Sequence, residues 1–359
     1  MIRVLHVVNR MGYGGIETFI MNIYRNIDRS KVQFDFAVYS NEKGEYDDEI
    51  IQLGGKIYKF IGRRENPIKY YKCWNKFLKN NSLNYNSIHM HVSSLTTILP
   101  LKIAKKYGIK NRIIHSHSTS QPGKIHKIFM GINKNRIKKY ATDLIACSTE
   151  AGNYVFGSSK FIVLKNGIDA QKYKFNPIER EKIRNKYGLK NDVVFTHIGR
   201  FVQLKNHEFL LNVFKKINDK KPNTKLILIG DGELRRKIEN DIEKLNIKNN
   251  VILLGNINNI YQVLQGCDIF IMPSIYEGLP ISCIEAQASG LKCFISDTIS
   301  KETDITGLVD FISLDLGESE WANYILEKID YIRQDVYNNI VMADYDIVST
   351  VKILMTKYI

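Results

Sequence analysis

The chain has 359 residues, 44% apolar and 25% charged, an ordinary globular composition with length enough for two domains. Its five cysteines are odd in number and form no Cys-x-x-Cys pair, which argues for buried thiols in a reducing cytoplasm and against a disulfide scaffold or a structural zinc. The formal charge of +15 sits wholly in the first half: residues 1–170 hold 27 Lys and Arg against 12 acids, residues 171–359 hold 25 of each, and between Lys56 and Lys139 19 cations meet the single acid Glu65. Such a patch attracts an anionic membrane surface, an anionic acceptor or nucleic acid, although a Lys- and Asn-rich composition throughout would look similar. No run approaches the about 18 apolar residues of a membrane span, and Met1-Ile-Arg-Val-Leu-His-Val-Val reads as a strand rather than a signal peptide.

Short apolar runs alternate with amphipathic segments along the whole chain. Arg3–Val8, Phe34–Tyr39, Lys56–Phe60, Ser87–His91, Arg112–His117, Asp143–Ser148 and Phe161–Leu164 read as buried strands, and Glu17–Arg25, Leu95–Tyr107 and Ile125–Tyr140 as helices between them. After the polar stretch 171–191 the pattern restarts, with strands at Val193–Ile198, Lys225–Ile229, Val251–Leu254, Ile269–Met272 and Lys292–Ile295. Their helices are Phe209–Asp219, Glu233–Leu245, Ile260–Leu264 and Ile281–Ser289. Strand and helix in alternation imply parallel sheets with right-handed crossovers, hence an α/β chain of two doubly wound Rossmann-like domains facing across a cleft. The expected division is 1–170, a linker 171–191, 192–340, and a terminal helical segment 341–359 that packs back toward the first domain.

Several segments carry chemistry. Asn9-Arg-Met-Gly-Tyr-Gly-Gly-Ile-Glu17 is a glycine-rich turn before a helix, where backbone N–H groups can approach an anion; Glu17 in place of the third glycine removes the dinucleotide-binding fingerprint. Gly199-Arg-Phe-Val-Gln-Leu-Lys205 ends a strand with two cations that can clamp a diphosphate, Arg200 as a planar fork and Lys205 as a mobile point charge. Glu277-Gly-Leu-Pro-Ile-Ser-Cys-Ile-Glu285 places one carboxylate before a helix start and one on its second turn, a spacing that suits sugar hydroxyls on either side of a phosphate; a capped helix with two solvated acids is the plainer alternative. Five histidines (His6, His89, His91, His115 and His117) fall at or near strands of the first domain. His117, nearer its strand end than His115, is the preferred catalytic one, with a structural role an equal alternative for any single histidine. No metal-ligand spacing stands out, so no metal is expected.

Gly14-Gly15-Ile-Glu17, Asn166-Gly-Ile-Asp169, Gly199-Arg200 with Lys205, Gly230-Asp-Gly232, and Tyr276-Glu-Gly-Leu-Pro with Glu285-Ala-Gln-Ala-Ser-Gly290 together resemble the family 4 glycosyltransferases, particularly bacterial members that build capsular or exopolysaccharide. The resemblance implies the GT-B fold, a nucleotide-diphosphate-sugar donor (a UDP-sugar in the first instance), transfer of a hexosyl or N-acetylhexosaminyl group with retention, and no metal or other cofactor. Carried over by position, Arg200 and Lys205 bind the diphosphate, with Gly14 and Gly15 approaching it. Glu277 holds hydroxyls of the transferred sugar, and Glu285 those of the ribose. Backbone around Gly278, Leu279 and Ile281 completes the phosphate site, Gly230, Leu254 and Gly255 lie near the base, and His117 lines the sugar, with His115 two residues earlier the alternative. The partners implied are a glycan or lipid-linked acceptor and an anionic membrane surface at the inner face of the plasma membrane, with no specific nucleic acid. The alternatives are a GT-B epimerase or phosphorylase, or a basic nucleic-acid or membrane-surface binding protein without catalysis.

Overall fold

The computed structural model describes residues 1–117 and 124–359, with residues 124–126 as backbone only. The chain forms two compact units, Met1–Ile168 together with Asp344–Ile359, and Asp169–Ala343. The first is built on a seven-stranded sheet, β1 (Ile2–Val8), β2 (Val32–Val38), β3 (Ile57–Lys59), β4 (Ser87–Val92), β5 (Asn111–Ser116), β6 (Asp143–Ala146) and β7 (Ile162–Val163), in the order β3-β2-β1-β4-β5-β6-β7. Every neighbouring pair is parallel, so the order reverses between β1 and β4, where open α/β sheets bind ligands.

The second unit repeats the plan with β8 (Val193–Ile198), β9 (Thr224–Ile229), β10 (Val251–Gly255), β11 (Ile269–Met272), β12 (Lys292–Ser296) and β13 (Val309–Ile312), ordered β10-β9-β8-β11-β12-β13 and parallel throughout. Its reversal lies between β8 and β11. Two doubly wound Rossmann-like units are therefore present, each with two apolar layers, one on either face of its sheet.

The twelve expected strands all appear, within two residues at each end. Strand β13 escapes the sequence pattern because its Val-Asp-Phe-Ile carries an acid in a run of four, too short to show alternation. The stretch 171–191 is not a linker. Asn176 accepts from the N–H groups of Ile178 and Glu179, Pro177 takes the first turn, and Gly188 closes the helix Pro177–Tyr187 in the left-handed region at φ +63°. That helix has one buried apolar residue, Ile183, which hides its periodicity; it is held instead by Arg180 and Arg184, which both reach Asp268 of the second unit.

The terminal helix Ile347–Tyr358 belongs to the first unit, where Ile347, Leu354 and Tyr358 join the layer lined by Val4, Val8, Phe34 and Ile113. Ile168 donates to Tyr345 O at 2.8 Å and accepts from Ile347 N at 2.8 Å. At Gly167 a Cβ would lie 2.4 Å from Thr350 Oγ1 and 2.9 Å from Ile347 Cα, so only glycine permits this approach.

Candidate functional site

In the second unit the turns after β8, β9 and β10 are stacked backbone on backbone. Gly199 donates to Ile229 O, Phe201 to Asp231 O, Leu234 to Phe201 O and Gly230 to Gly255 O, all at 2.9–3.0 Å. Gly230 has φ +139°, and a Cβ there would lie 2.1 Å from Gly199 O; one on Gly232 would lie 2.6 Å from Phe201 O. These two glycines therefore serve turn-on-turn packing, whatever they contribute to a ligand. Leu254 packs on the core beside them, and Gly255 turns the chain at φ +65°.

Lys205 closes a short 3-10 turn, Gln203–Lys205, just before the helix His207–Lys220. Its stem runs past Gly199, where a Cβ would meet Lys205 Cε at 2.9 Å, and its Nζ lies 2.6 Å from Glu277 Oε1. Both side chains are largely buried, at 15% and 18% exposure, so the pair is screened far less than a surface ion pair. Arg200 is exposed at the strand end. The structure thus joins two residues that their sequence motifs assign to different partners, diphosphate and sugar.

The helix Ile281–Ala288 starts at the expected residue, with Pro280 as its N-cap, extended at ψ 111°, and no side chain caps it. The first-turn N–H groups of Ile281 and Ser282 lack intrahelical acceptors by helix geometry, and the backbone at Gly278 is open, with nothing within 4 Å of the place a Cβ would take. Leu279 completes this entry. On the second turn Glu285 is 7% exposed and accepts from Tyr173 Oη at 2.6 Å. Burial pushes its carboxyl up to about 7, with the tyrosine bond pulling the other way. Tyr173 stands 112 residues away from Glu285 in sequence, and no local signal foretells the contact. Gln287, by contrast, is spent on structure: it donates to Thr303 O and accepts from Ile305 N and Thr306 Oγ1.

In the first unit, β1 leads through Gly14, the N-cap, into the helix Gly15–Asn26. Nothing approaches Gly15, but a Cβ on Gly14 would sit 2.2 Å from Glu17 Oε2. The Glu17 carboxyl, whose pKa burial raises, therefore folds back over the start of its own helix. An anion coming to this turn meets that carboxyl first, a feature the glycine spacing does not reveal.

The five histidines come together on one face of the first sheet. His6 and His89 are register partners on β1 and β4, as are His91 and His115 on β4 and β5. Side chains two apart on a strand share a face, so His89 with His91 and His115 with His117 add to it. His6 Nδ1 is 3.0 Å from His91 Nε2, His91 Nδ1 is 2.8 Å from His117 Nε2, and His89 Nδ1 is 2.8 Å from Tyr358 Oη. Phe19 packs its ring against His115 and His117, both at 5.3 Å. Burial drives every one of these imidazoles below its ordinary pKa, His6 and His117 to about 3, so all five are neutral near pH 7.

Two trios, His6 with His89 and His91, and His91 with His115 and His117, bring potential ligand nitrogens within 4.8 Å of one another. Spacing along the chain gives no sign of them, because they arise from strand register. His91 is common to both, and its two nitrogens already face His6 and His117. A metal in either trio has to break one of those contacts.

Residues 179–307 match the family described as glycosyl transferases, group 1. A protein of Bacillus subtilis (strain 168), EpsF, which carries a glycosyltransferase name, is 36% identical over 335 residues, covering 90% of this chain and 86% of its own. The chain belongs to the group 1 glycosyltransferases. The capsular polysaccharide biosynthesis glycosyltransferase CapH of Staphylococcus aureus is 27% identical to this transferase over 350 residues, covering 94% of each chain. Among solved structures, Anabaena HepE in complex with UDP superposes with a TM-score of 0.78 over 99% of both chains at 17% identity, which establishes the GT-B fold for the transferase. No described helix of the transferase is long and apolar enough to cross a membrane.

Proposed function

We propose that this transferase moves a sugar, with retention of anomeric configuration, from a nucleotide-diphosphate sugar to a lipid-linked glycan acceptor in the synthesis of capsular or extracellular polysaccharide. UDP is the proposed nucleotide, supported by the complex that HepE forms, and the product class is supported by the name of CapH. The observation that carries the reading is the Lys205–Glu277 pair, largely buried and lying in the same unit as the uncapped start of Ile281–Ala288.

In this reading Arg200, Lys205 and the N–H groups of Gly278, Leu279 and Ile281 bind the diphosphate. Glu277 orients the transferred sugar through its hydroxyls, and Glu285 holds those of the ribose. Gly230, Leu254 and Gly255 flank the base. As the glycosidic bond to the diphosphate lengthens, negative charge grows on the leaving phosphate, and the two cations stabilise it. The acceptor hydroxyl attacks from the face the diphosphate leaves, and a phosphate oxygen takes its proton, so no protein nucleophile or metal is needed.

The acceptor side is assigned to the first unit. Its helices Pro67–Asn81 and Lys124–Tyr140 expose Lys69, Lys72, Lys76, Lys79, Lys127, Arg136, Lys138 and Lys139, interspersed with exposed Ile68, Tyr71, Ile128 and Ile132. Cations with apolar side chains between them suit an anionic lipid surface.

A thermal-shift screen of nucleoside diphosphates and their sugars tests the donor, since a ligand that binds only the native state raises its stability. Arg200→Ala and Lys205→Ala are each expected to lower kcat about a hundredfold or more, the effect of about 3–4 kcal/mol lost from a charge stabiliser. Normal turnover in either variant overturns the diphosphate assignment.

A further inference from the structure

We infer that the Lys205–Glu277 ion pair is an exchange device by which the transferase selects the intact donor over the bare nucleoside diphosphate: a diphosphate draws Lys205 off Glu277, and sugar hydroxyls then satisfy the carboxylate left behind. The inference rests on the proposed function for the identity of the ligand; the pair itself stands on geometry.

The two loops that carry the pair leave β8 and β11, the strands between which the order of the second sheet reverses. Ile275, two residues before Glu277, donates its N–H to the carbonyl of Leu204, beside Lys205, at 2.9 Å, so backbone ties the loops together. The Lys205 stem is confined as well. Its Cε and Cδ lie 2.9 and 3.1 Å from the place a Cβ would take on Gly199, so the stem occupies the space that the missing side chain leaves. Rotation about the last carbon–carbon bond moves Nζ alone, by roughly 2.4 Å between staggered positions, and leaves the stem where it is. The ammonium can therefore change partner without any movement of the fold.

The pair is built to be exchanged. Glu277 Oε1 is sealed from solvent and lies 2.6 Å from Nζ, yet it takes no well-aligned hydrogen bond from Lys205 or from any other described donor. The contact compensates charge and leaves the oxygen short of donors. A diphosphate carries more negative charge than a carboxylate and offers several oxygens, so it competes for the ammonium. Once Lys205 turns away, a largely buried carboxylate stands without its cation, which is unfavourable until hydroxyl donors reach it. A nucleoside diphosphate alone brings none, whereas the intact donor brings the hydroxyls of its sugar. After transfer those hydroxyls leave with the glycan. Glu277 then takes Lys205 back, and the nucleoside diphosphate loses a cation at the stage when it has to depart.

The test is calorimetric titration of UDP and GDP, the tighter of the two being carried through, into wild type, Glu277→Gln, Lys205→Met and the double variant, with circular dichroism to confirm that each is folded; Lys205→Gln replaces Lys205→Met if the latter does not fold. Glu277→Gln should bind the nucleoside diphosphate about tenfold more tightly than wild type, within the 5- to 150-fold range of coupled sites, and the affinity ratio of nucleotide sugar to nucleoside diphosphate should fall by at least as much. The gain should vanish when Lys205 is already replaced; an equal gain there is plain repulsion between carboxylate and diphosphate and overturns the exchange. Unchanged affinity in Glu277→Gln also overturns it, and so does weaker binding, which would mean that Glu277 holds Lys205 ready for phosphate. Wild type that binds no nucleoside diphosphate refutes the proposed function, and the exchange falls with it; binding that Glu277→Gln does not tighten refutes the exchange alone.

Discussion

Replacing Glu285 by Gln should abolish a specific part of the pH dependence of stability. The carboxyl is buried and its pKa is pushed from an ordinary 4.5 up to about 7, so between those values the folded protein holds a proton that the unfolded chain has released. Stability contributed by this group is complete below pH 4.5, falls as pH rises, and is lost above about pH 7. The difference corresponds to about 3 kcal/mol, from about 1.4 kcal/mol for each tenfold change in proton affinity. Glutamine keeps an oxygen to accept from Tyr173 but carries no charge at any pH. Urea unfolding of wild type and Glu285→Gln at intervals from pH 5 to 8 isolates the effect, since all other titrations cancel in the difference. The variant should gain on wild type by about 2.5 kcal/mol across that range, the remainder having been lost already below pH 5. A difference that stays flat refutes the account of Glu285 as a carboxyl desolvated by its own fold. The same titration bears on function: hydroxyl donors favour the ionised carboxyl, so a ribonucleotide held by Glu285 binds more tightly at pH 8 than at pH 6.

Other consequences are equally open to measurement. Gly230→Ala adds a Cβ 2.1 Å from a carbonyl oxygen at a φ that L residues avoid, and should cost about 2–5 kcal/mol in urea unfolding, from strain and overpacking together. Gly167→Ala should push Thr350 and Ile347 aside, and hydrogen exchange should speed up selectively in Ile347–Tyr358 while β8–β13 stay protected. Tyr173→Phe should weaken binding of a uridine nucleotide at pH 6 by up to about tenfold and less at pH 8, because Glu285 loses the hydrogen bond that favours its ionised form. Vesicles containing anionic lipid should retain the protein at low salt and release it at high salt, and a Lys69→Glu, Lys72→Glu, Lys76→Glu variant should not be retained; equal retention of both proteins refutes the basic surface as the membrane contact.

The architecture is legible in the sequence because each sheet is buried on both faces, so its strands read as short continuous apolar runs such as Val193–Ile198 and Ile269–Met272. Pro177–Tyr187 escapes because its attachment is ionic and its single buried residue leaves no stripe. At the site, local motifs place Lys205, Glu277 and Glu285 at strand ends and a helix start, since glycine turns and Pro280 are local signals. What those side chains touch is not local: Tyr173 reaches Glu285, and Glu17 covers Gly14, through packing that no spacing announces. The histidines show the same limit, because alternation along one strand puts His115 and His117 together, whereas only register across three strands joins His6 to His91 and His91 to His117.

The first unit is interrupted in sequence by the whole of the second, and Tyr358 seals its core by bonding to His89 across 269 positions of chain. A ribosome delivers β1 to β7 long before it delivers the helix that covers them. The second unit is contiguous and can close as soon as it emerges, so we expect it to reach its native fold first even though it is made later. Until then the histidine-bearing face of the first sheet lacks its last helix, and a pause in synthesis between Ile168 and Asp344 would leave an open apolar layer for chaperones to shield.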